Sequence, residues 1–428
     1  MRNVLDSPRP GLSPAETATP DSLAPDAILA APVRHRVLIV VENLPVPPDR
    51  RVWQEALTLK EAGYEVTVIS PRRADTRAFH EVIEGVHIYR HPLPEAKGGA
   101  LSYMLEYACA LTAQTCLSWW VFVTRGFDVI QACNPPDTIF LVAWPFKVLF
   151  GCKFVFDHHD PGPELAALKF PRHRRLHRLL LGLERLTLRL ADMVITTSEP
   201  LRTIASERGG KPPEAVHLVR SAPDLRYMRP RAPDPWLKNG RRFMAIYVGI
   251  MGSQDGVDVL VDAAQCVVHG AGRDDIQFVL VGSGPELAQV RARVAALGLE
   301  EHVTFTGFLV GDGLLSALST ADIGVVPDPC NAFNEKLSMN KVIEYMAIGL
   351  PMAVFPLVEA CAMAGSAARV AAGTRAEDLA EAILGLIDDP DARRRMAAEA
   401  RTRAGTRFDW RTHRQVYLRA YRTLLQER

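Results

Sequence analysis

Residues 333–351 read FNEKLSMNKVIEYMAIGLP, and this pattern predicts a short helix with a marked start and a marked stop. Gly349 can take the left-handed conformation that often follows a helix, and Pro351 cannot continue one. Ser338 is placed to cap the other end, where the first turn leaves backbone N–H groups unpaired. Because the helix dipole attracts anions to that end, the stretch predicts a helix whose start is open to an anionic ligand.

The same helix start carries two charged side chains. Lys341 adds a mobile positive charge, and Glu344 lies one turn further on, where a carboxylate can accept hydrogen bonds from a pair of hydroxyl groups. Backbone amides, a lysine and a hydroxyl acceptor within two turns would suit a nucleotide sugar. The alternative is a capped amphipathic helix that packs on a sheet and binds nothing.

Outside this stretch, short apolar runs alternate with helical stretches along most of the chain. Such runs predict buried strands, and their repetition predicts parallel sheets with helices on both faces. Residues 222–240 interrupt the pattern with four prolines and a terminal Asn-Gly, which mark a linker. The predicted strands are 35–42, 64–70, 86–91, 127–133, 153–159 and 192–198 before the linker, and 243–249, 276–282, 303–308, 323–328 and 351–356 after it.

This order predicts an α/β fold of two doubly wound domains that face each other across a cleft. Ligands of such sheets lie at the carboxyl ends of the strands, so the cleft is the expected site. Residues 1–33 lack apolar periodicity and are expected to be a disordered leader. The other expected divisions are a first domain at 34–225, a linker at 226–241, a second domain at 242–405, and a C-terminal helix at 406–428 that packs back on the first domain.

Charge and cysteine content exclude some classes of protein. The formal net charge is +1, which gives no reason to expect a nucleic-acid partner. The seven cysteines include no C-x-x-C pair, so neither a zinc site nor a disulfide framework is expected. Such cysteine usage favours a reducing compartment such as the cytoplasm.

Two segments raise the question of membrane contact. Residues 107–124 carry no charge over 18 positions, which fits a buried helix, a membrane-facing helix or, least well because polar residues interrupt it, a membrane span. Residues 169–192 predict an amphipathic helix with a leucine stripe and five cations in its first part. Such a helix fits either a solvated charged face or peripheral contact with anionic lipid through residues 169–190.

Further candidate residues follow the predicted strands. YVGIMGSQDGVD (247–258) and VLVGSGPE (279–286) carry glycine pairs that allow close backbone approach to a ligand, although a plain strand–helix turn would look the same. FDHHDPGPE (156–164) has two adjacent histidines, which face opposite ways on an extended chain and make a poor metal site. We expect His159, followed by Asp160, to turn into the cleft; the alternative is a capped loop.

The loop after the first strand, ENLPVPPDRRVWQEA (42–56), is stiffened by three prolines. It places Arg50 and Arg51 at a predicted helix start. In a doubly wound fold this loop usually reaches the ligand crevice, where an arginine could steady a phosphate. The alternative is a solvated helix start.

Together these segments resemble glycosyltransferase family 4, which has the GT-B fold of two facing Rossmann-like domains. Within the family, the chain resembles bacterial transferases of surface polysaccharide assembly. The resemblance covers residues 35–425. It rests on ENLPVPPDRRVWQEA, DHHDPGPEL, VITTSEPL, YVGIMGSQDGVDVL, VLVGSGPE, VTFTGF, ADIGVVPDP and, most specifically, MNKVIEYMAIGLP.

The resemblance implies a retaining, hexosyltransferase-type sugar transfer from a UDP- or GDP-linked donor, with no metal and no cofactor. The helix start would stabilise the departing pyrophosphate electrostatically. The implied acceptor is a lipid-linked or other saccharide in exopolysaccharide, capsule or O-antigen synthesis. Such an enzyme would be cytoplasmic and peripheral at the inner face of the plasma membrane.

The resemblance also implies roles for individual residues, with the ribose hydroxyls of the donor on Glu344 and the donor sugar near His159. It implies no metal ligand. The catalytic set is His159, Asp160 and Glu335; the donor-binding set is Gly249, Gly252, Gly282, Gly284, Gly307, Ser338, Met339, Asn340, Lys341 and Glu344; and the acceptor-side set is Asn43, Asp49, Arg50 and Arg51.

The chain departs from the family pattern at two places. The family usually carries two glutamates near this helix; the second matches Glu344, whereas the first falls on Lys336, so that Glu335 stands one position early. The Arg and Lys that usually flank the first glycine turn of the donor domain are also absent. Neutralisation of phosphate then falls to the helix start, to Lys341 or to Arg220.

Two alternative functions stay open. A GT-B epimerase or phosphorylase would share the fold, although a phosphorylase needs a lysine-bound pyridoxal phosphate that no motif demands, and an epimerase needs no basic membrane-facing helix. The other alternative is a non-catalytic subunit that binds a nucleotide sugar or acts as a scaffold. Turnover of a nucleotide sugar would separate it from the transferase.

Overall fold

The computed structural model describes residues 35–73, 76–94 and 100–426. The expected leader at residues 1–33 lies outside the described residues. Within them the chain forms two α/β domains, each built on one largely parallel sheet. This arrangement confirms the predicted fold class.

The first domain contains a sheet of eight strands in the order β3-β4-β2-β1-β5-β6-β7-β8, with only the β3–β4 pair antiparallel. The sequence analysis missed β3, a short strand at the sheet edge, and β8, which has three residues. The strands are β1 (Arg36–Val40), β2 (Glu65–Pro71), β3 (His80–Ile83), β4 (Val86–His91), β5 (Val129–Cys133), β6 (Lys153–His158), β7 (Met193–Thr196) and β8 (Val216–Leu218).

Six helices flank this sheet. The first begins where Asp49 accepts a hydrogen bond from the Val52 N–H at 3.1 Å, and the third ends at Gly151 in the left-handed conformation. They are α1 (Arg50–Glu61), α2 (Ala100–Thr124), α3 (Phe140–Phe150), α4 (Gly162–Lys169), α5 (Arg174–Leu190) and α6 (Glu199–Glu207).

The second domain contains a fully parallel sheet of six strands in the order β11-β10-β9-β12-β13-β14. Its strands are β9 (Phe243–Val248), β10 (Ile276–Val281), β11 (Val303–Gly307), β12 (Ile323–Val326), β13 (Met352–Val354) and β14 (Ala368–Val370). Its helices are α7 (Val257–Gln265), α8 (Leu287–Ala296), α9 (Gly311–Thr320), α10 (Asn340–Ile348), α11 (Val358–Ala364), α12 (Ala376–Ile387) and α13 (Pro390–Arg407).

Both faces of each sheet are covered, which explains why the strands read as continuous apolar runs. In β1, Val37 and Ile39 belong to one buried cluster, whereas Leu38 and Val40 belong to the cluster on the opposite face. Successive side chains of a strand point to opposite faces, so a strand buried on both needs no polar alternation.

The last helix, α14 (Trp410–Leu425), returns to the first domain. Asp409 separates it from α13 and accepts a hydrogen bond from the Arg411 N–H at 3.0 Å. The Trp410 indole then donates to the Thr58 hydroxyl of α1 at 3.2 Å. The chain therefore crosses between the domains twice.

Candidate functional site

Loops that follow the strands of both sheets meet between the two domains. Arg50, at the start of α1, reaches Glu344 of α10, with 2.5 Å between Nη2 and Oε1. Ser198, at the start of α6, donates its hydroxyl to the Lys336 carbonyl at 2.6 Å. Ligands of parallel α/β sheets bind beyond the carboxyl ends of the strands, so this cleft is the candidate site.

His159 follows β6 and faces the cleft side of the first domain. Its Nε2 lies 2.7 Å from Asp157 Oδ2, and its side chain is 15% exposed. His158 is fully buried, and burial lowers its pKa to about 3, so it is neutral. The prediction that the two histidines face opposite ways is confirmed, and His159 is the one that can meet a ligand.

Asp157, not Asp160, is the carboxylate that orients His159. Residues two apart on an extended chain point to the same side, so the spacing of Asp157 and His159 in the sequence already indicated that the two side chains could meet. Asp160 is half-buried, burial raises its pKa, and its carbonyl accepts from the Asn134 amide at 2.7 Å. Asp157 contacts His159 through Nε2, and Nδ1 has no hydrogen-bond partner within the described part of the chain.

Arg51 lies behind His159 rather than on the acceptor side, where the sequence placed it. Its Nη2 is 2.7 Å from Asp157 Oδ1, its Nε is 3.0 Å from His159 Nε2, and its Nη1 donates to the Val219 carbonyl at 2.7 Å. Burial alone would raise the pKa of Asp157, but Arg51 and then His159 hold it well below its usual range. Because Arg51 is buried, it supports Asp157 and cannot contact an acceptor directly.

A buried polar network supports this cluster from below. The Gln131 amide nitrogen donates to Glu55 at 2.7 Å and to Asp157 at 3.3 Å. Its oxygen accepts from the hydroxyls of Tyr417 and Tyr421 at 2.7 and 2.6 Å. Burial raises the pKa of Glu55 well above its usual value, while Arg51, 3.0 Å from its carboxylate, opposes that rise. The C-terminal helix therefore takes part in the packing behind His159.

Cys133, Asp157 and His159 place one ligand atom each within 4.8 Å of one another, and no other such group of three occurs in residues 35–73, 76–94 and 100–426. Arg51 already bonds this carboxylate and faces the same histidine nitrogen. Burial also raises the pKa of the Cys133 thiol, which disfavours a thiolate. A second cation would be repelled by the guanidinium, so a hydrogen-bonded cluster explains the group better than a metal site.

The remaining acceptor-side residues lie in the loop between β1 and α1. Asp49 caps α1 with its side chain, so its carboxylate is partly committed to the fold. Asn43 is half-buried, and its carbonyl accepts from Arg73 at 3.4 Å. Arg50 is exposed and points at the second domain through Glu344.

Glu42, which the sequence analysis did not single out, opens the same loop. Burial and then the nearby carboxylate of Glu106 raise the pKa of Glu42 to about 8. One of its buried oxygens has no hydrogen-bond partner among the residues that the structure describes. A neutral buried carboxyl group at the end of a strand can both donate and accept a hydrogen bond, and only its structural environment reveals this.

The glycine turns of the second domain pack against each other. Gly282 has φ +135°, and a Cβ there would lie 1.9 Å from the Gly249 carbonyl oxygen. A Cβ on Gly284 would lie 2.5 Å from the Met251 carbonyl oxygen. Close packing between the two loops therefore explains why glycine is required at these three positions, without any ligand. The same packing brings the two turns together into one backbone surface at the strand ends.

Gly252 and Gly307 have other surroundings. The Gly252 N–H donates to Asp255 Oδ2 at 3.0 Å. Burial raises the pKa of Asp255 to about 6. Gly307 has φ +73° and open space around it. Glycine is therefore favoured there by the left-handed backbone conformation and not by a lack of space.

Helix α10 begins without a side-chain cap. Met339 precedes its first residue, and Ser338, predicted to be the cap, instead accepts a hydrogen bond from Arg220 Nη1 at 3.2 Å. The backbone N–H groups of Asn340 and Lys341 have no partner in the described part of the chain. These amides remain for a ligand, as the sequence analysis expected of this helix start.

The two charged residues of α10 already have partners. Lys341 Nζ lies 2.8 and 2.7 Å from the two oxygens of Asp328, and 4.9 Å from the centre of the Tyr247 ring. Glu344 is buried, and its carboxylate bonds Arg50. The positive charge of Lys341 is therefore balanced, whereas Glu344 depends on a residue of the other domain.

Arg220 crosses from the first domain to the second. Besides Ser338, it pairs with Glu359 at 2.5 Å. Lys336 lies at the same boundary, 3.8 Å from Glu164. Glu335 is half-buried, and within the described residues its carboxylate has neither an ion pair nor a hydrogen bond, so it is available to a ligand.

The leucine stripe of the basic helix faces the core only in part. In α5 the buried side chains are Glu184, Thr187 and Leu188, whereas Leu179 is 59% exposed and Leu186 is 42% exposed. The helix therefore packs Leu183, Leu188 and Leu190 against the core and leaves Leu179 and Leu186 exposed to solvent.

Helices α2 and α3 extend this exposed surface. The Phe150 ring of α3 packs 4.5 Å from Phe122 of α2, and Lys147 of α3 donates to the Leu190 carbonyl of α5 at 2.7 Å. The three helices thus share one surface, called the apolar face below. Its exposed members are Trp120, Val123, Leu141, Trp144, Val148, Leu149, Phe150, Leu179 and Leu186. None of the described helices combines the length and apolarity that crossing a membrane requires.

Two family models match the chain in succession. Residues 48–221 match a glycosyl transferase 4-like domain, and residues 242–389 match glycosyl transferases group 1. The two matches fall on the first and the second domain, respectively.

Relatives and solved structures agree with this assignment. The chain is 28% identical to a 2-deoxystreptamine glucosyltransferase of Streptomyces kanamyceticus over 50% of this chain and 56% of the relative. It is 29% identical to a phosphatidyl-myo-inositol mannosyltransferase of Mycobacterium leprae over 89% of this chain and 94% of the relative. The chain spans about half the length of the first curated relatives it matches. The sucrose-phosphate synthase of Thermosynechococcus elongatus superposes with a TM-score of 0.76 at 20% identity, over 92% of this chain and all of that one.

Proposed function

The chain belongs to glycosyltransferase family 4 with the GT-B fold, and from this premise we propose that it transfers a sugar from a nucleotide-sugar donor to a hydroxyl acceptor. The proposed reaction retains the anomeric configuration, is of the hexosyltransferase type, and uses neither a metal nor a cofactor. One observation carries the proposal. Two consecutive residues join the halves of the site, because Arg50 reaches Glu344 while Arg51 lies 3.0 Å from His159.

The proposed donor site lies in the second domain. Glu344 accepts hydrogen bonds from the ribose hydroxyls, and the free amides at the start of α10 receive the diphosphate, helped by the helix dipole. We propose UDP or GDP as the nucleotide. A structural neighbour, Alr3699/HepE of Anabaena, was crystallised with UDP and with UDP-glucose, and one relative is a GDP-mannose-dependent alpha-mannosyltransferase.

The proposed chemistry needs stabilised charge rather than a covalent intermediate. The bond between the anomeric carbon and the diphosphate oxygen breaks, and the acceptor hydroxyl oxygen bonds that carbon from the same face. The hydroxyl proton passes to the departing diphosphate oxygen. The start of α10 stabilises the negative charge that develops there. His159, fixed by Asp157, lies against the donor sugar, and Glu335 offers a free carboxylate nearby.

We propose a lipid-linked saccharide as the acceptor, in the assembly of a surface polysaccharide, and no nucleic-acid partner. The apolar face supports this proposal, because soluble proteins rarely expose so many large apolar side chains on one surface. Cations at the start of α5 would meet anionic headgroups, while Trp144 and Phe150 of α3 would enter the interface. The enzyme would then work in the cytoplasm, peripherally at the inner face of the plasma membrane.

Vesicle sedimentation tests the membrane contact. Vesicles with a third of phosphatidylglycerol should retain the wild-type protein at low salt, and Trp144→Ser with Phe150→Ser should release it. Trp236→Ser is the matched control, since Trp236 is 91% exposed but lies outside the apolar face. Equal release by the control variant, or no binding by the wild type, would contradict the proposed contact.

Product analysis tests the reaction itself. UDP- and GDP-linked hexoses are offered with a polyprenyl-diphosphate saccharide, and NMR of the product reads the new anomeric centre. An α-linked product from an α-linked donor, formed in the presence of EDTA and lost in His159→Ala, is expected. His269→Ala is the control, since His269 lies on the surface of the second domain. Conversion of the donor to an epimer without an acceptor would favour the epimerase, and binding without turnover would favour the scaffold.

A further inference from the structure

Arg50 and Glu344 differ sharply in their exposure to solvent. The Arg50 side chain is 60% exposed, whereas the Glu344 side chain is 6% exposed. A buried carboxylate requires a hydrogen-bonding partner, but an exposed arginine gains little from one ion pair. The contact therefore matters more to Glu344 than to Arg50.

The proposed donor would take over this position. Ribose hydroxyls can donate two hydrogen bonds to the Glu344 carboxylate and so satisfy it without a charge. Two ribose hydroxyls would need both carboxylate oxygens, and because Glu344 is almost fully buried, Arg50 on Oε1 covers the access that they require. Binding of the nucleoside would thus release a guanidinium whose charge is no longer neutralised.

Three other cations at the boundary between the domains are engaged with carboxylates that no donor group is expected to replace. Lys341 holds both oxygens of Asp328, and Arg220 pairs with Glu359. Lys169 interacts with Asp160 and Asp255, because it lowers the pKa of both carboxyl groups against the effect of burial. Arg50 differs from these residues because its partner is the proposed ribose ligand.

We propose that Arg50 exchanges partners during donor binding, from Glu344 in the free enzyme to the diphosphate of the bound donor. This inference rests on the proposed function of the site. Glu344 lies one turn from the free amides at the start of α10, which is about 5.4 Å along the helix axis. The flexible side chain of an exposed arginine covers that distance without movement of α1. Arg50 then supplies the cation that the chain lacks beside the first glycine turn of its donor domain.

The exchange predicts opposite effects of one variant on two ligands. In Arg50→Ala the ribose no longer displaces a guanidinium, so the affinity for the nucleoside alone should rise by up to about fivefold. The affinity for the nucleoside diphosphate should fall by roughly ten- to a hundredfold, because one charge-assisted contact to phosphate is lost. The preference for diphosphate over nucleoside therefore falls by at least about tenfold.

Isothermal titration of uridine, guanosine, UDP and GDP measures this preference in the full-length protein. Arg231→Ala is the matched control, because Arg231 is also an exposed arginine in an ion pair, with Asp312 at 2.8 Å, away from the cleft. Arg50→Lys keeps the charge and should recover part of the lost preference. Because Arg50→Ala removes the partner of the buried Glu344, thermal unfolding of both alanine variants checks that each remains folded at the temperature of the titration.

Each outcome decides the proposal. A fall in the diphosphate preference in Arg50→Ala alone supports the exchange. An unchanged preference for diphosphate over nucleoside overturns the exchange. This holds if the affinities for both ligands rise, as they would if Arg50 merely obstructed the site, if both fall, or if neither changes. If the wild-type protein binds neither UDP nor GDP, the proposed donor function fails together with the exchange. If it binds one of them and the variant keeps its preference, only the exchange fails.

Discussion

Lys341 and Asp328 form a buried ion pair. Variants that remove one or both partners can show whether Lys341 only stabilises the fold or also binds the proposed donor. Lys341 Nζ lies 2.7 and 2.8 Å from the carboxylate oxygens, and both residues are buried. Lys341→Met leaves Asp328 buried without its partner, which should lower the free energy of unfolding by about 3–5 kcal/mol. Adding Asp328→Leu replaces the pair with apolar groups of similar size and should restore at least about 2 kcal/mol of that loss.

Affinity for the donor nucleotide should not recover in the double variant. An ammonium has three N–H donors, of which two are used by Asp328, so the third can reach a phosphate at the start of α10. Both variants should therefore bind the nucleoside diphosphate at least about tenfold more weakly, by loss of one charge-assisted contact. Urea denaturation measures stability, and isothermal titration measures affinity.

The pair of Lys147 and Asp192 provides the control, because it has the same chemistry at 2.8 Å but is partly exposed. Lys147→Met should cost about 1 kcal/mol or less and leave nucleotide affinity unchanged. The reasoning is refuted if affinity returns together with stability in the Lys341 double variant, since Lys341 would then act only by holding α10 in place.

Other consequences of the site can be measured directly. Asp157→Asn should reduce kcat far more than Asp160→Asn, because only Asp157 bonds the His159 ring; equal losses in steady-state assays would contradict this. The pKa of Glu42 is raised to about 8 in the folded protein, whereas its pKa in the unfolded chain is about 4.3. The stability contributed by its neutral form is therefore complete below about pH 4.3 and is lost as the pH rises through 8. Glu42→Gln should therefore gain stability relative to wild type between about pH 4 and 8 in thermal denaturation, and a constant difference would contradict the assignment. Replacing Tyr417 and Tyr421 together with Phe should destabilise the protein by about 1–3 kcal/mol more than the sum of the single changes, since only the double change leaves the buried amide oxygen without a donor.

The fold was predictable because it depends on features that are local in the sequence. Most strands of the two sheets are apolar runs followed by a helix, and parallel sheets buried on both faces produce that pattern. The strands β3, β8 and β14 were not found, because each lies at a sheet edge, is only partly buried and includes polar residues that interrupt an apolar run. Their pairing is decided by neighbouring strands that are distant in the chain.

The site was predictable only where a role depends on position in one element. His159 was found because alternation along a strand separates it from His158. Ser338 was misassigned because its hydroxyl meets Arg220, 118 residues earlier in the chain, rather than the first turn of its own helix. A capping rule describes what a side chain can do locally, and a buried arginine from the other domain offered Ser338 a stronger partner.

The two arginines at the start of α1 show the limit most clearly. Arg51, Glu55 and Thr58 form a polar stripe on α1, which sequence patterns would place in solvent. All three are buried, because α14 covers that side of the helix: Trp410 donates to Thr58 across 352 residues of chain. Arg50, one residue earlier, is rotated by about 100° and so stays exposed toward the cleft. The same residue type therefore supports His159 at one position and faces the cleft at the next, and the difference is made by a helix from the far end of the chain.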